Sequence, residues 1–104
     1  MLKEWNVTPS VANTASDLIP AADITSGNAA MLFVVKITAV TAATAKLIYY
    51  SGTAIVHTIP LVLNAGDTAV LDGKDVLPSG MKLQVQSTAT DTTFIACGSV
   101  DANN

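Results

Sequence analysis

A repeating rhythm constrains this chain most: short runs that favour extended backbone, each closed by turn residues. "MLFVVKITAV" (31–40) is rich in branched side chains, with Val35 and Ile37 on one face and Lys36 and Thr38 on the other. "AKLIYY" (45–50) follows and stops at Ser51 and Gly52, and "AIVHTIPLVL" (54–63) comes next. The turn "NAGD" leads into "TAVLD", and "PSG" leads into "MKLQVQS", where Met81, Leu83 and Val85 alternate with Lys82, Gln84 and Gln86. "TTFIACGSV" (92–100) is almost continuously apolar, the pattern of a central strand covered on both faces. "EWNVT" (4–8) reads as a short first strand. Many short strands with turn signals at near-regular intervals predict an all-β fold: a small antiparallel β-sandwich or jelly-roll-like barrel with an extended N-terminal arm.

At 104 residues the chain is one domain, large enough to bury a core without a disulfide or a metal. Residues 1–28 are expected to form the arm and the first short strand, 29–100 the sandwich core, and 101–104 a frayed tail. The stretch 9–28 is loop-like, rich in Ala, Ser, Asn and Asp, with room for a helical turn or two over 10–18. Pro60 cannot donate to a ladder, so its strand is expected at an edge or a bulge.

"LNAGDTAVL" (63–71) and "LPSGMKLQV" (77–85) say nearly the same thing twice. In each, the glycine permits a backbone conformation that a Cβ would penalise, and the Asn, Asp, Pro and Ser around it favour turns. Ala69 and Leu71 after Gly66 match Leu83 and Val85 after Gly80. Two strands are therefore expected to enter one sheet in the same register.

Composition narrows function. Half the residues are hydrophobic and the mean hydropathy is +0.47, which excludes disorder. Only 12% are charged, against about 25% in ordinary soluble proteins. Such a surface must be covered by Thr, Ser, Asn and Ala or by another subunit, which suits a component of an assembly. Eight acids face five lysines, and arginine is absent. That balance argues against nucleic-acid binding and against polybasic attachment to membranes. No apolar run approaches the roughly 20 residues of a membrane span; the longest, 29–35, ends at Lys36. The N-terminus has no apolar core of a signal peptide, and the single Cys97 has no internal partner, so synthesis and assembly in a cytoplasm, without secretion through an oxidising compartment, are expected.

No residue set names a reaction. Asp67, Asp72 and Asp75 fall close together, but they lack the alternating ligands and closing glutamate of a calcium loop. Acids beside glycine in turns are expected to bond local backbone. His57, the only histidine, has no Gly-x-Ser-x-Gly elbow to serve, although Ser51 and Ser79 are available, and it is expected on a solvent or interface face. Cys97, between Ala96 and Gly98, is expected to be a small buried hydrophobe. The dispersed glycines, one per turn, form no phosphate loop. No catalytic residue, cofactor or metal is expected, and the chain is not expected to be an enzyme. Trp5, Tyr49 and Tyr50 are the candidate interface residues, because large amphipathic rings favour interfaces. Trp5 has simple packing over one end of the sandwich as its alternative. Tyr49 and Tyr50 should point to opposite faces, one core and one surface.

The stretch "IPLVLNAGDTAVLDGKDVLPSGMKLQVQSTATDTTFIACGSV" resembles small all-β proteins encoded among the structural genes of tailed phages. Gly66, Asp67, Thr68, Asp72, Gly73, Leu77 and Gly80 carry the match, which covers roughly 60–100. The resemblance implies a virion component: a capsid decoration (cement) protein, or a tail or head–tail accessory protein. It also implies a homo-oligomer, commonly a trimer at local three-fold positions, with the major capsid protein or another virion protein as partner. A carbohydrate- or receptor-binding sandwich is the remaining alternative, and the few aromatics weigh against it.

Overall fold

The computed structural model describes Leu2–Ala102, leaving aside the side chains of Gly73 and Lys74. Among the described residues there are eight strands: β1 (Leu2–Val7), β2 (Ser16–Ile19), β3 (Asn28–Ala39), β4 (Ala43–Ser51), β5 (Ala54–Leu63), β6 (Thr68–Pro78), β7 (Met81–Ser87) and β8 (Thr92–Ala102). A single 3₁₀ turn, Ala21–Asp23, is the only helical element among the described residues. The strands form two antiparallel four-stranded sheets, ordered β1-β8-β3-β6 and β2-β7-β4-β5.

That order has a simple origin. β4 pairs with β5, β3 with β6, β2 with β7 and β1 with β8, as in one long hairpin whose tip is the β4–β5 turn. Rolling the hairpin up adds the β3–β8 and β4–β7 ladders and divides the strands between two sheets. Eight strands wound in this way are a jelly roll. The core fills the space between the sheets, because alternate side chains of each strand point inward. β8 alternates buried and half-buried over most of its length. Phe94, Ile37, Leu47, Leu83, Val85, Ile19 and Ile24 lie at the centre, each almost wholly withdrawn from solvent.

Pro60 lies on β5, which is an edge strand of its sheet, as its missing N–H requires. Gly66 and Gly80 both take positive φ, +83° and +94°, and their turns launch β6 and β7. Ala69, Leu71, Leu83 and Val85 all join or pack against the core, but the two strands enter different sheets. The echo in the sequence is thus a repeated turn leading once into each layer.

Several expectations are corrected. The first short strand is present, but the residues from Leu2 to the start of β3 are not an extended arm: β1 pairs with β8 from Leu2↔Ser99 to Val7↔Phe94, and β2 pairs with β7. Burial of Trp5, Leu18, Ile19 and Ile24 ties this segment to the core, and β1 satisfies backbone groups that β8 would otherwise leave open. Residues 10–18 form turns and the start of β2 rather than a helical turn, since the strand edge of β7 supplies partners that an isolated short helix lacks. β8 is central but buried on one face only; its other face, with Ile95 and Cys97, is half-buried. Gly98 lies in β8, inside the strand expected over 92–100, and it must be glycine because a Cβ there would overlap the Met31 carbonyl oxygen.

Candidate interaction surface

At one edge of the sandwich the free strands are β5 and β6, and here the two sheets do not close fully. A cavity of about 220 Å³ opens between them, walled by Leu32, Val34, Val35, Leu47, Ile59 and Leu71, with Asp72 and Asp75 also lining it. Tyr49 crosses the gap from β4 and donates its hydroxyl hydrogen to Asp75 Oδ2 at 2.8 Å. Burial, and then the neighbouring Asp75 carboxylate, hold the Tyr49 hydroxyl well above the ordinary tyrosine range. It therefore stays protonated at neutral pH. Beyond this bridge lies a second depression of about 170 Å³, lined by Val56, His57, Val76 and Met81 together with Tyr49 and Asp75.

The fold therefore brings His57, Asp75 and Tyr49 together, a meeting that separation in the sequence concealed. Tyr49 and Asp75 form a clasp between the sheets, with His57 beside Tyr49 on the same sheet. Asp75 is engaged by Tyr49, the His57 ring is 6.1 Å from the Tyr49 ring and tilted by 38°, and neither Ser51 nor Ser79 lines either cavity. Asp72 and Asp75 were expected in turns but lie within β6; only Asp67 takes the expected local role, accepting from the Asn64 backbone N–H at 2.9 Å. Among the described residues no group of three His, Cys, Asp or Glu side chains could hold a metal ion. His57 is exposed, as expected of an edge-strand histidine. Cys97 is half-buried on the outer face of its sheet, its Sγ 4.0 Å from Glu4 Oε2.

Of the three candidate interface rings, two are withdrawn. Trp5 is 7% exposed and packs into the core, its Nε1–H donating to Asp23 Oδ2 at 3.0 Å, so it follows the packing alternative. Tyr49 is equally buried. Tyr50 points to the opposite face, half-buried, with Lys82 Nζ 5.0 Å from its ring centroid. The opposed directions of the two tyrosines match the period of a strand.

Exposed apolar surface lies elsewhere. On the outer face of the β1-β8-β3-β6 sheet, Leu2, Ser99, Met31 and Val76 stand in one cross-strand row. Phe33 protrudes beside it, at a bulge where β3 slips against both neighbours, and is 42% exposed. Around the edge, β5 leaves seven of its ten residues exposed, Ile55, Val56 and Val62 among them, and carries no charged side chain. The other edge strands do carry charge: Lys3 and Glu4 in β1, Asp17 in β2, Asp72 and Asp75 in β6. Charge is the usual guard of an unpaired edge, so an uncharged one invites contact. The run from Ala54 to Leu63 showed this in the sequence, once Pro60 had marked it as an edge.

No protein-family model matches the chain, and no curated protein matches its sequence. Solved structures with a similar outline include the Tobacco streak virus coat protein, at 13% identity and a TM-score of 0.44, covering 95% of this chain and 85% of that one. Infectious bursal disease virus Gx strain overlaps at 14% identity and a TM-score of 0.39, over 94% of this chain and 29% of that one. An endo-1,4-beta-D-xylanase 10B from Clostridium thermocellum, comprising CBM22-1 and GH10 modules, overlaps at 11% identity and a TM-score of 0.37, over 99% of this chain and 25% of that one. Overlaps this loose say nothing of what the chain binds.

Proposed function

We propose that this chain is a non-enzymatic structural subunit of a virus particle, a phage capsid decoration (cement) protein that stabilises the head by protein–protein contact. One observation carries the reading: β5 presents an exposed, uncharged, largely apolar edge. A chain with 12% charged residues spends little on keeping neighbours away, and its exposed side chains suit burial against another protein. At about 25 cal/mol per Å², an interface of standard size, about 1,600 Å², gives a gross stabilisation large enough to survive the costs of association. The sequence resemblance to phage structural proteins supports the same reading, and its two glycine turns occupy matching places at the heads of β6 and β7. A sugar-binding role loses support because Trp5 and Tyr49, two of the large rings such a site would stack on a glycan, are buried.

The test is cosedimentation of the purified protein with capsids stripped of it. Saturable pelleting with heads, and heads that withstand higher temperature when coated, are expected. Pelleting with tails alone would move the protein to the tail or head–tail junction. Binding to glycans without binding to particles would overturn the proposal.

A further inference from the structure

We propose that the cavity between β5 and β6 is a receptor for an apolar side chain of a partner protein whose adjacent lysine or arginine rests on Asp72 and Asp75. The cavity is apolar inside, where Leu32, Leu47, Ile59 and Leu71 meet, and acidic where β6 passes it. Its volume of about 220 Å³ is ample for one large aliphatic side chain. A hydrocarbon entering it would gain packing contacts with those apolar walls. The acids set the sign of the visitor. Asp75 gives one oxygen to Tyr49, and Asp72 adds a second carboxylate on the same strand. A basic group is drawn to that pair and an acidic one is repelled.

The occupant is not a second copy of this chain using its own β5 edge, because that strand carries no lysine to offer. The inference extends the proposed virion role by naming the chemistry of the surface the protein docks on. It is nonetheless tested on the purified chain without particles, so either can fail while the other stands.

The probe is n-hexylammonium, an aliphatic chain with one cationic head, set against n-hexanol and n-hexanoate of equal length. Titration followed by melting temperature and by NMR shifts of the Leu47 and Ile59 methyl groups is expected to rank them hexylammonium, hexanol, hexanoate. Asp72→Asn should weaken hexylammonium about two- to fivefold, the effect of one exposed ion pair, and leave hexanol unchanged. Ile59→Phe, which fills the cavity, should abolish all three. Should Asp72→Asn prove unstable, the ranking on the wild-type chain still decides. Absence of saturable hexylammonium binding, equal binding of hexanoate, or shifts confined to residues outside the cavity would each overturn the proposal.

Discussion

Tyr49 stands where the two sheets come apart, and its hydroxyl ends 2.8 Å from Asp75 Oδ2 on the opposite layer. Tyr49→Phe keeps the ring and removes the bond, so a loss of about 1 kcal/mol is expected, read as a lower urea midpoint at unchanged slope. An unchanged midpoint would show that the clasp contributes nothing. The bond also sets an alkaline limit. The folded chain holds the tyrosine proton more tightly than the unfolded chain does, because burial and the Asp75 charge both disfavour tyrosinate. That contribution is fully present below about pH 10, the ordinary tyrosine value, and is lost as pH rises toward the folded-state value. Denaturant titrations at rising pH should therefore show the wild type declining more steeply than Tyr49→Phe above about pH 10; parallel declines would contradict the assignment.

The strands themselves show what can and cannot be read from a sequence. β3, β4 and β7 were legible from branched or alternating side chains and β8 from its apolar run, β6 only in its first half, and Pro60 had narrowed β5 to an edge or a bulge. The short first strand was legible too, but its pairing was not, and β2 was missed altogether, since the partners of both lie far along the chain. The Tyr49–Asp75 clasp, with His57 beside it, was equally hidden, because three different strands contribute one residue each. Gly98 teaches the same lesson. It lay in a run legible as a strand, yet its need for a missing Cβ comes from β3, which slips in register at Phe33 and holds the Met31 carbonyl against β8. Gly98→Ala should cost about 1–3 kcal/mol by overpacking. Gly66→Ala is a different case, since nothing lies within 4 Å of the added methyl and only the positive φ is penalised. Its cost should be about 1 kcal/mol. Thermal melts of the two variants check the order, and a milder Gly98→Ala would mean that β3 relaxes freely.

Nested pairing makes the molecule a single cooperative object, with β1 near one end of the chain sealed by β8 near the other. Removing residues 1–10 takes away an edge strand and the buried Trp5, so that truncation should yield an unfolded or aggregating chain by circular dichroism. A folded truncation product would mean that the first strand is a detachable arm after all. On the outside, the same winding leaves charged edges at β1, β2 and β6 and one uncharged edge at β5. The proposed work of the protein is contact through that surface, with no bond made or broken. The most direct measurement is quantitative mass spectrometry of virus particles purified on a density gradient from the cells that produce this chain. The predicted result is a fixed ratio of this chain to the major capsid protein in the head fraction. Finding it only among soluble proteins, with none on the particle, would contradict the account.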